Sequence, residues 1–321
     1  MAKQGRWIEL AGTSAQLDDA GGRLPRLESY VLTEDADNSN VSCLRVGNTF
    51  LKTPYRQTPV AKGGRWAAGV PDHRQYLPAD RIVLIDRVHH RDHTVKLPVR
   101  ATSAQWSPNG RTLLLTAYRK KGSDYRAIGF ITVDVRERKP KLVEAGDTWS
   151  IGAGESDRDG RFFWNGDGTG VLSMLKDDAG IAVYDLDGRR TRVYRGIGRL
   201  SGHITSLFSP SGRWFVSAGE GKAPLQIVDT ATGKIAHRLP GAFQGWYDED
   251  HVVTERRSVP RPSDAATKMP TVTFRIVGLD GRPGKILVKE KIRHNDSWSG
   301  YKPHIEWLDF VPPLATGGST T

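Results

Sequence analysis

Along most of the chain, apolar and polar residues alternate at a period of two, in short runs that end on Asp or Gly. Arg81-Ile82-Val83-Leu84-Ile85-Asp86 and Phe130-Ile131-Thr132-Val133-Asp134-Val135 are two such runs. Ile181-Ala182-Val183-Tyr184-Asp185, Leu225-Gln226-Ile227-Val228-Asp229 and Val272-Thr273-Phe274-Arg275-Ile276-Val277 are three more. Successive side chains of a strand point to opposite faces, so this alternation marks strands with one face buried, and the closing Asp/Gly turns mark hairpins. An amphipathic helix would place apolar residues at i, i+3 and i+4 instead, and no segment does so convincingly. The pattern predicts an all-β chain of many short strands.

A second phrase precedes each run: an apolar residue, a polar turn closing on Gly-Arg, then a β-prone stretch. It reads Trp106-Ser107-Pro108-Asn109-Gly110-Arg111 before Leu113-Leu114-Leu115, and Phe208-Ser209-Pro210-Ser211-Gly212-Arg213 before Trp214-Phe215-Val216. Shorter copies are Gly63-Gly64-Arg65-Trp66 and Asp159-Gly160-Arg161-Phe162. Pro presets φ for the first central turn position and Gly accepts a positive φ, so the chain reverses there. The glycines are 46 (64 to 110), 50 (110 to 160) and 52 (160 to 212) residues apart. Four-stranded propeller blades repeat at about 40–50 residues.

The repeat predicts a single β-propeller of about six four-stranded blades, with units near 55–99, 102–145, 161–195, 203–239 and 243–288. A last blade would combine Tyr30-Val31-Leu32, Val41 to Val46 and Thr49-Phe50-Leu51 with Ile305 to Pro312 from the far end of the chain. Such N- and C-terminal pairing closes the ring and hides sheet edges. Seven blades result if Trp7-Ile8-Glu9-Leu10 begins an extra one. The propeller domain is expected over 1–314, with a disordered tail at 315–321.

The Ser-Pro-x-Gly-Arg turns, with the following Asp229-Thr230-Ala231-Thr232-Gly233-Lys234 turn, resemble the WD-repeat-like propellers of the TolB type. The resemblance runs over roughly 55–290; of the eukaryotic WD-repeat signatures only a Gly-His pair, Gly202-His203, is present. It implies protein or ligand binding on a ring face, usually without catalysis. Function does not follow from the fold alone, since propellers host binders and enzymes alike.

Composition narrows this reading. With one cysteine, Cys43, the 321-residue chain can form no internal disulfide and no Cys-pair metal site. No stretch approaches the roughly eighteen apolar residues of a membrane helix. Met1 to Gly12 lacks a basic-then-apolar leader pattern. A cytoplasmic monomer is expected as the sequence stands, or an exported one if a leader has been removed. The net charge of +11 points to an anionic partner, yet no run of five like charges occurs, which equally suits a dispersed basic surface. No nucleic-acid motif is present, so a nucleic-acid partner is not favoured.

The d–a and b–c loops of a propeller gather on one face, and here they hold the longest insertions. Gly69 to Asp80 carries Asp72, His73, Arg74 and Tyr76; Tyr118 to Arg126 carries Arg119, Lys120, Lys121 and Tyr125. Glu255 to Pro270 carries Arg256, Arg257, Arg261 and Lys268, and Lys289 to His304 carries Arg293, His294, Trp298 and Tyr301. Long loops on a rigid scaffold commonly bind ligands. Arg74, Tyr118, Arg119, Lys121, Arg126, Arg256, Arg257, Arg293, Trp298 and Tyr301 are therefore expected to bind a protein or an anionic ligand, by charge and ring stacking. A mixed solvated rim is the other reading, because Asp124, Asp177 and Asp178 share the face.

Were the chain an enzyme of the lyase, hydrolase or lactonase kind, His294, His304, His203, Glu155, Asp157 and Tyr301 at the channel mouth would be the catalytic set. No cofactor is expected, although Glu155, Asp157, Asp159 and Asp167 have oxygen ligands of the kind calcium takes. His89-His90-Arg91-Asp92-His93 resembles a metal cluster but falls in a hairpin turn, and no metal is expected there. Gly166-Asp167-Gly168-Thr169-Gly170 is glycine-rich with no following helix, so it reads as a turn between strands, not a phosphate loop.

Overall fold

The computed structural model describes residues 6–19, 25–34, 39–71, 78–122, 124–151, 160–176, 180–200, 206–219, 225–258, 270–291 and 304–311. Among them the chain forms strands joined by turns, with no helix. β1 (Arg6–Glu9) and β2 (Gln16–Asp19) make a hairpin, and β3 (Arg26–Glu34), β4 (Ser39–Val46) and β5 (Thr49–Lys52) make a meander. Then come β6 (Tyr55–Gln57), β7 (Trp66–Pro71), β8 (Ala79–Asp86), β9 (Arg91–Trp106), β10 (Thr112–Lys121), β11 (Asp124–Asp134) and β12 (Pro140–Ile151), which pair in chain order into one seven-stranded sheet.

Two four-stranded meanders follow. They are β13 (Phe163–Trp164), β14 (Gly170–Met174), β15 (Ile181–Asp185) and β16 (Arg190–Tyr194), then β17 (Arg199–Leu200), β18 (Trp214–Ala218), β19 (Leu225–Asp229) and β20 (Ile235–Leu239). The next meander is β21 (Ala242–Trp246), β22 (His251–Ser258), β23 (Thr271–Gly278) and β24 (Pro283–Lys291), and the β1–β2 hairpin extends its outer edge through Gln16↔Lys289 and Leu17↔Val288. β25 (His304–Val311) returns to the beginning and pairs antiparallel with β3, Ile305 opposite Leu32 and Leu308 opposite Tyr30.

The molecule is an all-β propeller. Its buried apolar side chains, among the described residues, fall into six clusters. Five bridge neighbouring sheets and the sixth lies within the seven-stranded sheet. The largest joins the two ends of the chain: Leu17 from β2, Tyr30 from β3, Phe274 from β23, Val288 from β24 and Leu308 from β25. The inner strands are buried nearly along their whole length, β14 at all five positions and β18 at four of five, because their sheets pack against neighbours on both faces.

The recurring turns have a common chemistry. At Ser107, the Gly110 N–H donates to the serine carbonyl (2.8 Å) and the Thr112 N–H to its Oγ (3.0 Å). Ser209 repeats both bonds with Gly212 (2.8 Å) and Trp214 (3.2 Å). The serine thus fastens both sides of the reversal. Asp does the same between outer strands: the Asp229 carboxylate accepts from the Thr232 N–H and hydroxyl, both at 2.8 Å, and the Asp86 carboxylate from the N–H groups of Val88 and His89.

Several expectations need correction. Four blades are discrete, where about six were expected: three four-stranded sheets and the β21–β24 meander, which the β1–β2 hairpin extends to six strands; the remaining strands run on as the seven-stranded sheet. The cause is β9, which stays extended through 16 residues, pairing first with β8 and then with β10. No glycine or Asp turn interrupts Arg91 to Trp106, and the kink is taken up locally at Ser103, whose φ is +59°. Trp7 to Leu10 begins no extra blade, because the hairpin adds to an existing edge. The third inner turn lies at Asn165–Thr169, in the Gly166 to Gly170 stretch read as a turn, where Gly168 has φ +74°; the Gly160-Arg161 copy of the repeated phrase precedes it and is not that turn. Tyr118 to Arg126 is mostly the ends of β10 and β11, not a loop. The expected tail at 315–321 lies outside the described residues.

Candidate functional site

The innermost strands of the sheets surround a cavity of about 130 Å³. Its wall is aromatic: Trp106, Trp164 and Trp246, with Phe208 and Phe310. Each tryptophan is fixed by its indole N–H, which donates to a backbone carbonyl of the preceding inner segment. Trp106 reaches Pro59 (2.9 Å), Trp164 reaches Gln105 (3.3 Å) and Trp246 reaches Leu207 (3.0 Å). These bonds satisfy the one polar atom of each ring and leave carbon surface toward the axis.

The cavity opens on the side of the serine turns. Ser107-Pro108, Asn165-Gly166 and Ser209-Pro210 form its rim, with Lys62 and Ser206 exposed at the edge. The turns nest tightly: a Cβ on Gly166 would fall 2.4 Å from the Cα of Gly212, which itself has φ +77°. Glycine is required at 166 by this contact and at 212 by its backbone as well.

Two polar groups matter inside. Asp309 of β25, buried, accepts the Val60 N–H (2.9 Å) and the Ser29 hydroxyl (3.2 Å) through Oδ2. It ties the returning strand to β3 of its own sheet and to the segment that leads into β7 of the next. Gln244, at 7% exposure, donates from Nε2 to Glu255 Oε2 (2.8 Å), while its Oε1 is buried without a hydrogen-bond partner among the described residues.

Beyond Gln244 is a carboxylate group built from strand ends. Glu255 of β22 binds Arg257 as well as Gln244. Glu290 of β24 is fully buried and accepts the Ile305 N–H at 3.1 Å. Burial pushes its carboxyl up to about 7, and neighbouring Glu255 adds to the rise, against the pull of the Ile305 N–H and Arg257. Glu306 of β25 accepts from the Thr33 hydroxyl at 3.3 Å.

The expected binding residues are spread over several places. Arg257 sits beside Glu255, with Arg256 exposed next to it. Arg119 and Arg126 are directly opposite each other on the β10–β11 arm, where Arg119 pairs with Glu144 (2.6 Å); Lys121 is exposed near its tip. Tyr118 is buried and does not face solvent. Arg74, Arg293, Trp298 and Tyr301 lie outside the described residues, as do Glu155, Asp157, His203 and His294. His304 is placed by its backbone alone, as the first residue of β25. Of the acids considered for calcium, Glu155 and Asp159 are also outside the described residues; Asp167 closes its turn by accepting from Thr169 N–H and hydroxyl. His89 turns back to Asp86 at 2.9 Å within the β8–β9 turn.

Sequence reasoning missed the aromatic cavity. The signal available was the apolar residue ahead of each serine turn, Trp106 and Phe208, which read as core. Among the described residues, no helix is long and apolar enough to cross a membrane.

The fold is a β-propeller like that of TolB. TolB from Acinetobacter baumannii aligns with a TM-score of 0.52 at 16% identity, covering 88% of this chain and 66% of that one. This chain therefore spans just under two thirds of that TolB chain. The β-propeller domain of the Trilobed protease from Pyrococcus furiosus aligns at 12% identity over 91% and 87% of the two chains, TM-score 0.47. A functionally unknown protein from Desulfotomaculum acetoxidans aligns at 8% identity over 96% and 98%, TM-score 0.48. Such identities speak for fold alone. No family model matches the sequence, and no curated protein is significantly similar to it.

Proposed function

We propose that the chain is a six-bladed propeller acting as a non-catalytic binding module, which receives a side chain of a protein partner in its central cavity. The count of six takes the seven-stranded sheet as two blades sharing β9, whose first part pairs with β8 and last part with β10. One apolar cluster per junction supports it. The observation that carries the binding role is the lining: tryptophan rings held by their N–H bonds around the cavity. An aromatic wall suits a side chain with an apolar stem and a cationic or aromatic end.

Peptides displayed on phage and panned on the intact protein test this. Enrichment of sequences sharing one Lys, Arg or Trp anchor is expected. Ser206→Trp, which fills the mouth from an exposed position, is expected to abolish their binding. Equal binding to that variant, or no shared anchor, refutes the proposal.

One observation favours a second reading, a propeller enzyme: the Glu290 carboxyl titrates near 7 beside Arg257. It predicts a turnover that Glu290→Gln removes while peptide binding stays intact.

A further inference from the structure

A second depression, of about 290 Å³, lies on the turn side between the β25-β3-β4-β5 sheet and the start of the seven-stranded sheet. Its charged lining is Arg26, Arg45, Arg65 and Arg87 with a single carboxylate, Glu28. Counting Asp86, which pairs with Arg65 just outside the lining, four guanidinium groups face two carboxylates, a surplus of two positive charges. We propose that this groove is a binding site for a phosphoryl group.

The arginines are held in place from below. Arg87 donates to the Gly64 and Arg45 carbonyls, both at 2.8 Å, and pairs with Glu28 at 2.9 Å. Arg45, almost wholly buried, donates to the carbonyls of Gly47 (3.1 Å) and Leu27 (3.3 Å), with its guanidinium 5.5 Å from the Phe50 ring. These two make the floor and lose little freedom when an anion arrives. Arg26 and Arg65 form the walls, with side chains 47% and 51% exposed. Arg26 donates to the Gly47 carbonyl (2.8 Å), and Arg65 stacks on Trp66 at 5.4 Å while pairing with Asp86 at 3.1 Å.

The chemistry selects the ligand class. A guanidinium offers paired N–H donors in a planar fork that matches two oxygens of a phosphate. Collecting four such forks around two carboxylates, Glu28 and Asp86, costs repulsion, which a dianion relieves and a monocarboxylate relieves only half as well. Gly47, Gly63 and Gly64 leave much of the remaining wall without side chains, Val88 being the exception, and a Cβ on Gly47 would meet nothing within 4 Å. The groove therefore accepts a phosphomonoester with room for the group that carries it. This site is separate from the aromatic cavity and stands without the peptide-binding proposal.

The test uses the intact protein at low salt. Inorganic phosphate and O-phosphoserine are titrated by calorimetry, with acetate at matched ionic strength as the control. Vesicles of phosphatidylcholine with and without phosphatidylinositol 4-phosphate form a second arm, read by co-sedimentation. Saturable binding of the phosphates or the phosphoinositide vesicles, but not of acetate, is expected, and the arm that responds identifies the source. The double variant Arg26→Gln, Arg65→Gln should weaken binding roughly tenfold or more; both side chains are half exposed and the Arg87–Glu28 pair stays. Ser206→Trp should leave it unchanged. Unaltered binding in the double variant, equal response to acetate, or no saturable signal in either arm overturns the proposal.

Discussion

Replacing Glu290 with Gln should make the protein more stable at neutral pH. The carboxyl is buried at the end of β24, and its pKa rises from the ordinary 4.5 to about 7. The folded state therefore holds this proton more tightly than the unfolded chain does. Below about pH 4.5 both states are protonated and nothing is lost. As pH rises from 4.5 through 7 the unfolded state ionises freely while the folded state resists, so stability falls across that window and levels off above it. A shift of about 2.5 units at roughly 1.4 kcal/mol each corresponds to about 3 kcal/mol. Glutamine stays neutral, and its Oε1 can still accept the Ile305 N–H that Glu290 accepts at 3.1 Å. Urea unfolding of both proteins at half-unit steps from pH 4 to 8.5 checks this. The variant-minus-wild-type difference cancels the other titrating groups, and it should climb by about 3 kcal/mol between pH 4.5 and 7.5. A flat or falling difference would refute the assignment of burial as the dominant cause.

Three further outcomes follow from the geometry. Asp309→Leu removes the acceptor of the Val60 N–H and the Ser29 hydroxyl, and should cost about 2–3 kcal/mol in chemical unfolding, with faster hydrogen exchange in β25 and β3. Gly166→Ala forces a methyl to within 2.4 Å of the Gly212 Cα, and should cost about 1–3 kcal/mol as measured by thermal unfolding; a neutral result would mean the turns are not nested. Trp246→Phe keeps an aromatic ring but loses the donor to the Leu207 carbonyl, and should destabilise by about 1–2 kcal/mol in the same assay.

The strands themselves were legible because their cause is local. Ile181 to Asp185 and Leu225 to Asp229 show their alternation and their closing Asp in the sequence, and each forms the hairpin those features encode, with β16 and β20 respectively. The return of Ile305 to Val311 onto Tyr30 to Leu32 was also readable, since one segment lacked an inner strand and the other lacked neighbours. The third turn shows the limit: both Gly160-Arg161 and Gly166 to Gly170 carry turn signals, and pairing of Trp164 with Val171 makes the second, already readable as a turn between strands, the inner reversal.

The candidate sites were less visible. The aromatic cavity needs Trp106, Trp164 and Trp246 on one axis, although they come from segments 58 and 82 residues apart (106 to 164, 164 to 246). The arginine groove gathers Arg26, Arg45, Arg65 and Arg87, of which only Arg65 belongs to a recognisable motif. Glu290 reads as one of several exposed-strand acids until β25 covers it.

By itself, then, the order of residues determined alternation, turns and the repeat, because each depends on interactions within a few residues of chain. Only the closed arrangement of sheets decided which strand β9 would serve, which side chains share the axis, and which charges face one another. Those are encounters between distant segments, set by how whole sheets pack, and short-range pattern carries no record of them.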